Sequence, residues 1–319
     1  MEWYYFLLFA VGIVLIAKGG DLFVDSAAYI ADVSGIPKFI VGATIVSFAT
    51  TLPEMLVSAL AAGQGKTEMA IGNAVGSVTA NTGLIMALSM LLVPMAVVRR
   101  TTLPKAVLLI AAVLGLWGLS IGGLTVWKGL LLFVIFAVFV AENILSAKKQ
   151  QGNQEERVTA TRKAVVKSVV ILLLSATAIV AGSDLLVHYG SLIAAGFGVP
   201  ESVIGLTAIA IGTSLPELVT AVTAILKKQA DLSVGNVIGA NIIDTTMILP
   251  VCAVISGGTL PVTTQTLWLD LPVCLGVILL ALLPALFSGR FRRWQGVACL
   301  TVYAGYLAYV FIGCPGLPV

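Results

Sequence analysis

Two acidic residues dominate the chemistry this sequence can do. Glu54 closes the run Thr50-Thr51-Leu52-Pro53-Glu54, and Glu217 closes Thr213-Ser214-Leu215-Pro216-Glu217. Both lie in apolar segments, where a carboxylate at membrane depth costs about 2.5–3.5 kcal/mol on insertion scales. Proline lacks an N–H and clashes with the carbonyl of the preceding helical turn. Pro53 and Pro216 therefore break their helices and loosen the turns that run from Ser47 to Thr51 and from Ala210 to Ser214. Loosened backbone is tolerated in hydrocarbon only where protein or a lined cavity satisfies it. Glu54 shares a helix face with Thr50, one turn earlier. Each stretch thus gathers a carboxylate, hydroxyls and backbone carbonyls. These are hard oxygen donors suited to Na⁺ and Ca²⁺, and neither stretch holds a His or Cys that would favour zinc or copper.

The two stretches belong to a repeat. Residues 42–83 recur as 205–246 at a constant shift of 163 residues. From Gly19 to Gly83, 19 of 65 positions are identical to their mates. The second part of each copy reads Gly72-Asn73 through Gly76-Ser77 to Asn81, and Gly235-Asn236 through Gly239-Ala240 to Asp244. Glycines one turn apart let helices approach closely, so Gly72, Gly76, Gly235 and Gly239 are expected at helix-packing faces. Ser77, Asn81 and Asp244 follow at about one-turn intervals and are expected to face the Pro-Glu helices.

These residues need a membrane bundle to position them. The chain is 59% hydrophobic and 10% charged, far below the roughly 25% charge of a soluble domain. Its partner is the lipid bilayer; a net charge of +3 with no basic run gives no reason to expect nucleic acid. Ten spans of about 20 residues are expected at 3–20, 37–62, 68–93, 104–122, 125–147, 165–187, 202–226, 231–255, 266–287 and 293–312. The first and sixth run on to about 33 and 196. The first lacks a basic leader and a cleavage site and is expected to be a mature span. The fold class is an all-α membrane protein, with Pro-interrupted helices at its core. A polar linker at 148–164 separates repeat 1–147 from repeat 165–319. An odd number of spans in each half inverts the second relative to the first.

Lys and Arg set the orientation. With both termini outside, the inner connections hold Lys38, Arg99, Arg100, Lys105, Lys227, Lys228, Arg290, Arg292, Arg293, the five basic residues of the linker, which is itself cytoplasmic, and Lys167 just after it. Only Lys66 and Lys128 fall outside, a strong positive-inside bias. The expected location is the plasma membrane, which in a prokaryote is the inner membrane. The four cysteines show no metal spacing and are expected to pack. His188 is expected to be an interfacial polar residue, and Asp270 is expected near the outer interface.

The Pro-Glu runs, with Gly72-Asn73 to Asn81 and Gly235-Asn236 to Asp244, resemble the two α-repeats of the sodium/calcium exchangers of the calcium/cation antiporter superfamily, in a prokaryotic type without a regulatory domain. The resemblance implies an antiporter rather than an enzyme, with no cofactor and no obligate protein partner. Glu54, Glu217 and the carbonyls of Thr50 and Thr213 would form the calcium site. Flanking sodium sites would draw on the same residues: the Ser47 carbonyl, Thr51 and Ser77 at one, the Ala210 carbonyl and Ser214 at the other. Asn81 and Asp244 would complete the cluster. Ala240 departs from the family, because many members carry serine there and a methyl group cannot ligate an ion. Coupling to H⁺ or K⁺ within the superfamily, and an uncoupled cation channel, are the alternatives. Transport by alternating access would slide the first and sixth spans over the bundle, on a face smoothed by Gly12, Gly19, Gly20, Gly182, Gly190 and Gly196.

Overall fold

The computed structural model describes residues 2–151, 161–197 and 212–312. Eleven helices account for almost all of them. In the first half these are α1 (Trp3–Ser34), α2 (Lys38–Thr50), α3 (Leu52–Gly63), α4 (Thr67–Leu92), α5 (Arg99–Ser120) and α6 (Val126–Gln151). In the second half they are α7 (Arg162–Gly196), α8 (Leu215–Leu226), α9 (Ala230–Ile255), α10 (Thr266–Ser288) and α11 (Arg293–Ile312). Seven of them are long and apolar enough to cross a membrane, and α2 with α3 forms a further, bent candidate.

Local chemistry sets the ends. Gly35, at φ 66°, closes α1, and Gly289, at φ 74°, closes α10. The Thr161 hydroxyl caps α7 by accepting from the Ala164 amide at 3.3 Å. The first and sixth spans run on as expected, to residues 34 and 196. The second span is broken by 44° at Thr51, where Pro53 occupies the first turn of α3. Most of the first half of the seventh span, including Gly205, Thr207 and Ala210, lies outside the described residues.

Two packings organise the bundle. In the first, α1 lies along α7. A Cβ on Gly12 would stand 2.9 Å from the Gly182 carbonyl, and one on Gly182 would stand 2.9 Å from the Gly12 carbonyl. Gly19 meets Ile179, and Gly190 meets Phe9. These glycines therefore lock α1 to α7 rather than forming a face that slides over the bundle. Gly20 alone among them turns to α8, against Val219 and Thr223. In the second packing, α2 and α9 meet backbone to backbone. Cβ atoms on Gly42 and Gly235 would come within 2.3 Å of the Leu232 carbonyl and 2.1 Å of the Phe39 carbonyl. The main apolar core spreads from this contact through Val75, Val113, Val237, Ile242 and Val277.

The connections pair across the halves. β1 (Leu124–Thr125) and β2 (Thr259–Leu260) form an antiparallel pair between the α5–α6 and α9–α10 links. Ala96 bridges Arg290 between the α4–α5 and α10–α11 links. One of the connection charges is placed differently. Because α5 begins at Arg99, Lys105 lies inside the helix, fully buried, paired with Glu142 of α6 and 5.6 Å above the Phe39 ring.

Candidate functional site

The break at Thr51 turns the polar groups of α2 toward those of α8. Glu54 lies in the first turn of α3 and Glu217 in the first turn of α8; they are 1% and 0% exposed. The Thr51 hydroxyl donates to the Ser47 carbonyl at 2.6 Å and to Glu217 Oε1 at 3.4 Å. One hydroxyl thus ties the helix break of the first repeat to the acid of the second. Asp244 is fully buried as well.

Two asparagines hold the halves together. Asn73 donates to the Ser58 hydroxyl at 2.9 Å and to the Glu54 carbonyl at 3.3 Å, and its oxygen accepts from the Thr213 hydroxyl at 3.3 Å. Asn236 donates to the Thr220 hydroxyl at 3.0 Å and accepts from the Thr50 hydroxyl at 3.2 Å. Thr50 and Thr213 are repeat mates, as are the two asparagines, so each half's threonine is held by the other half's amide. Sequence reasoning had the repeat but not this role. The signal was available in the Asn73/Asn236 identity.

The cluster is polar, buried and incompletely satisfied. Among the described residues, both Glu54 oxygens, Glu217 Oε2, both Asp244 oxygens, both polar atoms of the Asn81 amide and the Ser214 hydroxyl have no hydrogen-bond partner. Buried polar atoms are nearly always paired, and an unpaired one costs about 1–3 kcal/mol or more. Carboxylate oxygens left so are suited to cations. No three His, Cys, Asp or Glu among the described residues converge tightly enough to hold a metal ion.

The expected residues fall into place unevenly. Ser47, Thr50, Thr51, Ser77, Asn81 and Ser214 are all buried. The Ser47 carbonyl already accepts from the Thr51 amide at 2.9 Å and from the Thr50 and Thr51 hydroxyls. Ser77 and Thr213 line a cavity of about 310 Å³ with Asn73, Gly72 and Gly76. Ala240 is fully buried, and Ala210 lies outside the described residues. The close approach expected of the glycines holds for Gly235 and Gly239, which lean on α2. A Cβ on Gly72 or Gly76 meets no atom of the described residues within 4 Å. Asp270 is 8% exposed, and Tyr306 of α11 donates to it at 3.0 Å. His188 is exposed, edge-on to Tyr189. Cys252, Cys274 and Cys299 are buried free thiols.

Asn81 and Asp244 also share a backbone feature. Each opens a π-helical turn, Asn81–Met86 in α4 and Asp244–Ile248 in α9. Such turns recur at functional sites.

Paired acids in the first turns of repeat-related helices, buried inside an apolar helical bundle, define a membrane transporter of cations. The comparisons agree. The family model of the sodium/calcium exchanger protein matches residues 4–145 and 167–312. The sodium/calcium exchanger MaX1 of Methanosarcina acetivorans is 30% identical, over 96% of this chain and 98% of its own. The inner membrane protein YrbG of Escherichia coli is 34% identical, over 79% and 80%. The solved structure of the sodium-calcium exchanger NCX_Mj soaked with 10 mM Na⁺ superposes with a TM-score of 0.84 at 28% identity, covering 97% of this chain and 99% of that one. This chain belongs to the sodium/calcium exchanger protein family. It is a multi-pass membrane antiporter and not an enzyme.

Proposed function

We propose that this protein exchanges Ca²⁺ for Na⁺ by alternating access. The observation that carries the reading is the pair of buried acids, Glu54 and Glu217, in the first turns of the matching helices α3 and α8. Two ionised glutamates supply the charge that a dehydrated Ca²⁺ requires, with the carbonyls of Thr50 and Thr213 as neutral ligands. The flanking oxygens of Ser47, Thr51, Ser77, Ala210 and Ser214, with Asn81 and Asp244, receive Na⁺. Because Na⁺ and Ca²⁺ draw on the same carboxylates, occupancy by one excludes the other. A site that must be filled before it can reorient does not leak.

Residues 1–147 and 165–319 form two inverted five-span repeats, ten spans in all, joined by a cytoplasmic linker at 148–164. Discontinuous helices at matching places in inverted halves are the arrangement that puts a transport site at the membrane midplane. The α1–α7 pair is the unit that moves, and its glycine-locked interface lets it move as one body. The sidedness follows from the basic residues of the connections. A cysteine at position 151 is therefore labelled by impermeant reagents only from the cytoplasmic side, and labelling in intact cells from outside overturns this orientation.

The reading is tested by Ca²⁺ uptake into proteoliposomes with outward Na⁺, H⁺ and K⁺ gradients imposed one at a time. Uptake driven by the Na⁺ gradient is expected. Uptake driven by H⁺ or K⁺ but not by Na⁺ would replace the coupling ion. Ala240 offers a finer test, since its repeat mate is Ser77. Ala240→Ser adds one hydroxyl, worth on the order of 1 kcal/mol, and is expected to tighten Na⁺ activation several-fold with less effect on Ca²⁺. Ser77→Ala is expected to weaken it. Na⁺ curves unmoved by both variants would make these positions packing residues.

A further inference from the structure

The inverted repeat is broken at its two ends in a way that bears on direction. At the end of α8, Lys227 Nζ lies 2.8 Å from Asp25 Oδ2 and 3.5 Å from Asp21 Oδ1 of α1, and donates to the Asp21 carbonyl at 3.1 Å. Nearby, Lys38 at the start of α2 pairs with Asp32 of α1 at 3.2 Å. Gly20 of α1 seats directly on Val219 and Thr223 of α8. This end of α1 is thus held to the bundle by charge as well as by packing.

The repeat-related end differs in charge and in contact. The shift of 163 residues maps Asp21 onto Asp184, Asp25 onto His188 and Lys227 onto Gln64. It maps Gly20, Val219 and Thr223 onto Ser183, Leu56 and Leu60. Here α7 does not seat on α3. Leu56 and Leu60 are 58% and 64% exposed. A cavity of about 320 Å³, lined by Ser183, Asp184, Val187, Pro53, Thr213 and Pro216, separates α7 from the two Pro-Glu breaks. His188 and Gln64 are exposed at this end.

Inverted repeats exchange their conformations when a transporter turns over. In the opposite arrangement α7 would seat on α3, and Gln64 would meet Asp184 and His188. A neutral amide cannot make the ion pairs that Lys227 makes. From this asymmetry we infer that Lys227, with Asp21 and Asp25, is an electrostatic clasp that holds the cytoplasmic end shut and biases the resting protein toward the arrangement with the outer cavity open. The inference rests on the proposed alternating access and names the residues that set its resting balance.

The clasp is partly exposed, with side chains 27%, 52% and 65% accessible for Lys227, Asp21 and Asp25. An ion pair of this kind changes an equilibrium by up to about fivefold and is screened by salt. That is enough to set a resting population without blocking turnover.

The test uses spin labels at Leu60→Cys on α3 and Ala181→Cys on α7, far from the clasp, and pulsed electron resonance distances in liposomes without transported ions. Lys227→Gln, which copies Gln64, is expected to move the ratio of parted to closed populations about fivefold toward closed. Lys227→Arg keeps the ratio. Gln64→Lys, which builds the missing clasp at the other end, is expected to move it in the same direction as Lys227→Gln. Raising choline chloride is expected to shift the wild-type distribution further than that of Lys227→Gln, which among the described residues keeps only the Lys38–Asp32 pair at this end. A distribution that Lys227→Gln leaves unchanged overturns the clasp. Na⁺-dependent Ca²⁺ uptake by the same preparations reports separately on the antiport reading. Loss of uptake in the wild-type liposomes contradicts that reading, whereas normal uptake with unmoved distances contradicts the clasp alone.

Discussion

Glu54→Gln and Glu217→Gln are each expected to reduce Na⁺-dependent Ca²⁺ exchange by about two orders of magnitude or more. The figure follows from the cost of removing one member of a buried ionic cluster, about 3–5 kcal/mol. The loss is one of transport rather than folding. Glu54 has no hydrogen-bond partner for either side-chain oxygen among the described residues. Replacing it with an amide of the same shape removes a buried charge and leaves the Asn73 contact to its backbone carbonyl in place. Both variants are therefore expected to run as monodisperse protein with undiminished thermal stability in ion-free buffer. Near-normal exchange in either one would sink the site assignment.

Gly235→Ala is expected to be the most damaging Gly→Ala change among the described residues. The new Cβ would stand 2.1 Å from the Phe39 carbonyl and 3.0 Å from the Ala43 amide. Both obstacles are backbone, so no rotamer change relieves them, and α2 must move away from α9. Overpacking of this kind costs about 1–3 kcal/mol, and rigid neighbours put the value at the upper end. The displacement reaches the site, because Asn236, the next residue, holds the Thr50 hydroxyl. Exchange is expected to fall together with thermal stability. Gly276→Ala in α10, where a Cβ meets nothing among the described residues within 4 Å, is the matched control and is expected to stay within about 0.5 kcal/mol of wild type. Equal stability of the two variants would contradict the backbone contact.

Much of this was legible before any coordinates. Composition placed the helices in a membrane, and Pro53 located the break that the structure puts at Thr51. Element ends were close because glycine and the apolar runs fix them locally. The failures share a cause, which is that one-dimensional spacing does not say which neighbour a helix face meets. Gly12 and Gly182 read as a sliding surface, yet they touch each other's carbonyls. Lys105 read as a connection charge, yet the partner that allows its burial, Glu142, lies 37 residues away on another helix. The π-helical turns that open at Asn81 and Asp244 leave no residue signature at all. Repeat identity was the strongest guide, and its exceptions were as informative as its matches. Lys227 against Gln64, and Ala240 against Ser77, mark where the two halves have diverged in chemistry.

The central claim is that Na⁺ and Ca²⁺ compete for one cluster built around Glu54 and Glu217. Equilibrium binding of radioactive Ca²⁺ to the purified protein, with choline replaced stepwise by Na⁺, tests it most directly. The account predicts that Na⁺ displaces Ca²⁺ with a dependence steeper than first power, that K⁺ and choline do not, and that Glu54→Gln binds no Ca²⁺ to displace. Ca²⁺ binding that is indifferent to Na⁺, or that survives in Glu54→Gln, would contradict it.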